Sequence, residues 1–197
     1  MDAAQFFLLR YEPLHAGMTD RLLADLSDAQ LRARPHDQNS IAWLLRHVAR
    51  GEDIGVNRFA TDGPEVFDEG GWQKRLGVAR RDTGTGMTSE EVSDLSARID
   101  LSALREYWSA VGRRTVEVIR SYGSKGWDEV IDPARIRRII RDSGMFGPNV
   151  NIERVEVGRL PGGMTRGWAF AHLALTHSHG HFYEANVVRG MLGFPGV

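Results

Sequence analysis

The chain contains no cysteine, which excludes disulfides, thiolate metal ligands and a cysteine nucleophile. Thiol chemistry, if it occurs, must use a thiol supplied from outside. Lysine is almost as scarce: Lys74 and Lys125 are the only two, and the remaining positive charge is arginine. Neither sign of charge dominates, because 25 basic and 26 acidic residues leave a net charge of -1. No global field therefore draws nucleic acid or an anionic membrane to the protein, and neither is an expected partner. Long apolar runs are also missing, since none approaches the roughly 20 residues of a membrane span. The short run Phe6–Leu9 has no basic segment before it and is followed at once by Arg10 and Glu12. It does not read as a secretory signal, and the expected location is the cytoplasm.

At 197 residues the chain suits one filled core, so a single domain over 1–197 is expected. Residues 3–30 carry Phe6, Phe7, Leu14, Met18, Leu22, Leu23 and Leu26 at helical intervals, with Pro13 expected to kink the helix or mark its start. Asn39 and Ser40 are good N-caps for a second helix from about Ile41 to Phe59, which Gly63 and Pro64 stop. The stretch 61–100 is rich in glycine and acid, and it predicts a long connection with a short helix near 88–97. A connection of that length usually crosses the molecule or covers a site. Leu101, Leu104, Trp108, Val111, Val118 and Ile119 restore a helical period up to about Tyr122. Residues 134–141 suggest a short basic helix, and Val150, Ile152, Val155 and Val157 suggest a small β-hairpin ending at Pro161–Gly163. A last helix should run from Thr165 to about Leu192. Four long helices with two long connections predict an all-α four-helix bundle.

The chemistry-bearing residues cluster late in the chain, where His172, His177, His179 and His181 fall within ten residues. His177 and His181 are four apart, which on a helix puts them on one face about 40° apart, near enough to share one metal ion. A wheel of this helix places Phe170, Leu173, Ala174, His177, His181, Glu184, Val188, Met191 and Leu192 within roughly 60° of one direction, towards the core. His172 and His179 point the other way. On the second helix Trp43, Leu44, His47, Gly51, Ile54 and Arg58 share a face, so His47 is the natural third ligand, beside a glycine that leaves room for a partner. Three unpaired imidazoles buried in a bundle would be costly. A divalent metal resolves that cost, and three histidines with an open position form a catalytic donor set for zinc, with nickel or ferrous iron also accommodated. The His-Glu-x-x-His protease motif is absent, because Ser178 follows His177.

The segments Asn39–Glu52 and Trp168–His181, with Arg189–Gly193 after them, resemble the DinB-like, or DinB/YfiT-like, metalloprotein superfamily. The resemblance implies a four-helix bundle in which one histidine of the second helix and two of the last bind a divalent metal, matching His47, His177 and His181. Many relatives carry a Gly-Gln pair shortly after the last ligand, whereas Phe182, Tyr183 and Glu184 follow here. Glu184 could orient an imidazole or shuttle a proton; the alternative is a carboxylate paired with an arginine such as Arg58.

Characterised branches of that superfamily include transferases and isomerases that use mycothiol, bacillithiol or glutathione. The resemblance thus implies a thiol-dependent S-transferase or isomerase acting on a small electrophile. Arg58, or arginines of the 135–141 stretch, would hold the thiol's carboxylates, and Trp43 would line the substrate site. Two other functions stay open: a metal-dependent hydrolase that activates water, and a non-catalytic, stress-associated bundle that sequesters a ligand. A homodimer is expected from the exposed apolar helix faces that bundles of this type carry.

Overall fold

The computed structural model describes residues 1–155 and 163–197, and its described residues form nine helices. Helix α1 covers 3–23 as Ala3–Glu12, a wider π segment Pro13–Met18 and Thr19–Leu23. The disturbance expected at Pro13 is therefore local widening, consistent with a residue that donates no backbone hydrogen bond. The helix ends at Leu23, not near residue 30, because Ala24 turns to ψ 140° and Asp25 adopts a left-handed φ of 62°. Ser27 then starts α2, Asp28–Arg32, through a capping box with Gln30.

Helix α3 spans 41–60 as Ile41–Asp53 and a π segment Ile54–Ala60, with the Ser40 hydroxyl accepting from the Trp43 amide at 3.0 Å. The following connection contains α4 (Val66–Glu69), α5 (Trp72–Arg75) and α6 (Ser89–Arg98). Helix α7, Leu101–Tyr122, is the third long helix; α8, Pro133–Asp142, is the short basic one. The expected hairpin does not begin as a strand, since Ile152–Arg154 is a single 3-10 turn. Residues 156–162, which include Val157, lie outside the described residues. Helix α9 covers 166–191, opening with the Thr165 cap and passing through a π segment, Ala171–Thr176, immediately before His177.

Contacts at both ends of each pair give the long helices their directions. Glu12 meets Arg120 and the His15 carbonyl meets Trp108, so α1 and α7 are antiparallel. Along α3 and α9, Asn39 meets Glu184, His47 meets His177, and the Ala60 carbonyl meets Arg166, again antiparallel. Arg50 bonds Tyr107 and Glu52 bonds Thr115, which sets α3 parallel to α7. Phe7 packs on Phe170 and Arg189 donates to the Leu22 carbonyl, which sets α1 parallel to α9. The bundle is up-down-down-up.

Every residue of Ile41–Asp53 is buried, including Arg46, Arg50, Glu52 and Asp53. The 61–100 connection is the cause, because it folds back over the face of α3 that the other long helices leave uncovered. Asp53 accepts from the Val66 and Phe67 amides at 2.9 Å each and from Tyr107 at 2.7 Å, which pins the start of α4. Arg50 pairs with Glu65 at 2.8 Å and donates to the Arg81 carbonyl at 2.7 Å, while Arg46 donates to the Arg80 carbonyl at 2.9 Å. Breaking one partner of such a buried ionic cluster typically costs about 3–5 kcal/mol, so the connection is firmly held.

Candidate metal centre

The three histidines reach one point because α3 and α9 run antiparallel and close together. Glycine makes the closeness possible: the His177 ring lies over Gly51, where a Cβ would stand 3.1 Å from its Cε1. Nearer the N-terminus of α9, Leu173 fills the space above Gly55, where a Cβ would overlap the leucine side chain. His47 Nε2 stands 3.1 Å from His177 Nε2. Donor atoms of His47, His177 and His181 all lie within 4.8 Å of one another, and the group could hold a metal ion.

The π segment Ala171–Thr176 decides how the α9 histidines are presented. It adds one residue to the helical turn and so rotates the rest of the helix by about 100°. The buried stripe beyond it is Ser178, Phe182, Ala185, Val188 and Arg189, and Met191, expected in the core, is 45% exposed. His177, His181 and Glu184 consequently lie on the flank that faces α3, half-buried rather than central.

Hydrogen bonds settle two of the three tautomers. His47 Nδ1 donates to the Thr83 carbonyl at 2.8 Å, and His181 Nδ1 donates to Glu184 Oε2 at 2.9 Å. In each ring the Nε2 lone pair is left to face the cluster. Burial lowers the pKa of His47 to about 4 and that of His177 to about 3, so both are neutral near pH 7. The Glu184 carboxyl is held below its usual range, chiefly by the His181 hydrogen bond, and remains a carboxylate. His177 Nδ1 is buried with no partner among the described residues.

These residues fit a divalent cation. Imidazole lone pairs facing each other across 3.1 Å repel unless a proton or a cation lies between them. Tetrahedral zinc, with bonds of about 2.0–2.1 Å, holds nitrogen donors about 3.3 Å apart. The side chains of His181 and Glu184 are 27% and 32% exposed, so one flank of the centre opens to solvent. A fourth ligand to a bound metal would have its access from that side.

A family model described as the DinB superfamily matches residues 14–185. The chain belongs to the DinB superfamily. No curated protein matches it.

Of the other candidate residues in this DinB bundle, Trp43 is 6% exposed, stacked on the His47 ring at 4.9 Å and closed off by Gly84, where a Cβ would be 2.9 Å from the indole. It forms the wall behind His47. Arg58 does not pair with Glu184, contrary to that expectation: its guanidinium donates to the Gly63 carbonyl at 3.3 Å. It shares a direction with His47 only on an unbroken helical wheel; it lies within the π segment Ile54–Ala60, eleven residues further on and roughly 16 Å along the axis. Arg135 is tied to the Phe59 carbonyl, and Arg137, Arg138 and Arg141 are exposed. His172 stacks on Trp168 at 4.4 Å, and His179 bonds the Leu175 carbonyl; neither joins the cluster.

Two contributors carry no clear mark in the sequence. Thr83 acts through its backbone carbonyl, which no side-chain pattern reveals. Asn39, whose amide donates to Glu184 Oε1 at 3.1 Å, carries only the signal of a capping residue.

Proposed function

We propose that the protein binds one divalent metal through His47, His177 and His181 and uses it to activate an exogenous low-molecular-weight thiol, of the mycothiol, bacillithiol or glutathione type. The outcome would be S-transfer to a small electrophile or its isomerisation by addition and elimination. The observation that carries this reading is the convergence of three imidazoles, two with Nδ1 already committed, beside an open flank. Zinc suits three nitrogen donors with an open position, and nickel or ferrous iron is compatible.

When bound, the metal would supply Lewis acidity and keep a thiol ligand deprotonated at neutral pH. The chain's own residues do the rest. Thr83 and Glu184 hold two rings in the tautomer that leaves Nε2 free. Trp43 closes the inner side against water, so exchange is confined to the flank beside His181. Glu184, an ionised carboxylate beside that flank, is the candidate proton acceptor for an incoming ligand in this reading. The thiol in this reading comes from outside, since the chain contains no cysteine. The expected setting is the cytoplasm, and the expected assembly a homodimer.

Metal analysis of protein never exposed to chelator tests the first half; far less than one divalent metal per chain would end it. A panel of thiols in a thermal-shift assay tests the second half. Thiol-specific stabilisation of metal-loaded protein is expected, and its absence would redirect the assignment to a metal-dependent hydrolase. Ligand binding that survives His47→Ala without metal would favour a non-catalytic binding bundle.

A further inference from the structure

Asn39 sits on a strained loop that is clamped from behind. Two consecutive non-glycine residues, His36 and Asp37, are left-handed, with φ of 51° and 58°. Such backbone persists only where surrounding contacts over-determine it, and here the contacts come from Arg34. Its guanidinium donates to the Gln38 carbonyl at 3.0 Å and the Asp37 carbonyl at 2.8 Å, on the loop itself. The same group donates to the Ser89 carbonyl at 2.6 Å and bonds the Ser89 and Ser93 hydroxyls on α6. Ser40, next to Asn39, adds a hydroxyl contact of 2.8 Å to Ser96 of that helix. Helix α6 is thus a platform, and Arg34 fastens the 35–39 loop to it.

The loop delivers the Asn39 amide to the metal centre. Its Nδ2 donates to Glu184 Oε1 at 3.1 Å, while Glu184 Oε2 accepts from His181 Nδ1 at 2.9 Å. An ionised carboxylate only accepts, so the amide must present its NH2 group, and the contact has one sense. One carboxylate oxygen is held from α3's leading loop and the other holds the ring. Without Asn39, Glu184 keeps its own rotamer freedom on a half-exposed helix face.

We infer that Asn39 is a positioning residue for the metal centre, acting through Glu184 to fix the His181 ring, with Arg34 holding Asn39 in place. The inference rests on the metal reading of His47, His177 and His181. Groups that orient a metal-bound imidazole typically contribute about 10–100-fold to metal affinity.

The test is zinc alone, titrated into metal-free protein against a chromogenic chelator, with folding of each variant followed by circular dichroism and its thermal midpoint. Asn39→Ala should weaken zinc binding about 10-fold and Glu184→Ala at least as much. The double variant should bind no more weakly than Glu184→Ala, because one residue works through the other. Asn39→Asp, nearly isosteric, sets a carboxylate against Glu184 and should lose at least as much as Asn39→Ala; it also carries the test should Asn39→Ala not fold. Arg34→Ala should show part of the loss.

Wild-type affinity in Asn39→Ala or Asn39→Asp overturns the inference, as do losses that simply multiply in the double variant. Wild-type protein that takes up no zinc, nickel or ferrous ion overturns the metal reading itself, and this inference with it. The two failures are therefore distinguishable.

Discussion

Gly51 and His177 belong to different helices, yet the imidazole of one occupies the space that a side chain on the other would need, at 3.1 Å from its would-be Cβ. Substituting Gly51 by alanine in mid-helix ordinarily stabilises by about 0.5–1 kcal/mol. Here the added methyl must displace the ring by a few tenths of an ångström. Gly51→Ala should leave stability to denaturant unchanged or slightly raised while metal affinity falls several-fold, and Gly51→Val should lose stability as well and weaken metal binding further. Parallel denaturation and metal-competition curves separate the two effects.

Metal should stabilise the fold by linkage. At a free concentration about 100 times Kd the gain is about 2.7 kcal/mol, visible as a rise in the thermal midpoint that a chelator reverses. His177→Ala removes one of three donors and should abolish the shift at the same concentration. A shift of wild-type size in His177→Ala would place the metal elsewhere.

Stability should depend on pH in two opposing ways. His47, His177 and His15 have folded pKa values lowered by burial to about 4, 3 and 3, against 6.5 in the unfolded chain. Below pH 6.5 the unfolded chain binds more protons, so metal-free protein loses stability as pH falls from about 6.5 towards 3. Glu52 behaves in the opposite sense. It is fully buried, accepts from Tyr11 and Thr115, and burial raises its pKa from 4.5 to about 8. The unfolded chain gives up that proton first, so stability falls as pH rises from about 4.5 to 8. Glu52→Gln should remove this second slope and be more stable than wild type at pH 8 by on the order of a few kcal/mol. Urea denaturation at about pH 5, 6.5 and 8 would show it; an unchanged slope in the variant would assign the dependence to other groups.

Gly84 adopts φ of 93° beneath the Trp43 ring, where a Cβ would come within 2.9 Å. Gly84→Ala should cost about 1–3 kcal/mol from backbone strain and contact with Trp43. It should also weaken metal binding, because Thr83, whose carbonyl holds His47, is the neighbouring residue. A loss of stability with full metal affinity would show that the Thr83 carbonyl keeps its place independently.

The parts of the molecule legible in the sequence are those with local or periodic signals. The long helices 41–60, 101–122 and 166–191 follow from apolar spacing and from caps such as Ser40 and Thr165. The pair His177 and His181 follows from a spacing of four. The illegible parts depend on through-space geometry. Arg58 has the right angle only on an unbroken wheel, and it sits at the wrong height along the axis. Met191 leaves the core because of a π segment, which makes no mark in a 100° wheel. The Thr83 carbonyl reaches His47 only because its amide and hydroxyl are tied to the Met145 carbonyl, 62 positions away. At the end of α1 two local signals compete, and the capping box of Ser27 and Gln30 marks the boundary more sharply than the apolar period does.

Helix α3 has no solvent-facing side over Ile41–Asp53. Surface helices tolerate substitution in a rhythm, free at the outer positions and constrained every third or fourth residue. This helix has no outer positions, and its arginines and acids are as specified as its leucines. In a saturation scan of the chain it should stand out as thirteen consecutive intolerant positions without period. By the same logic the arginine-rich composition is not uniformly interchangeable: Arg46 and Arg50 answer to fixed carbonyls and carboxylates, while Arg137 and Arg138 are exposed and make no hydrogen bond or ion pair among the described residues.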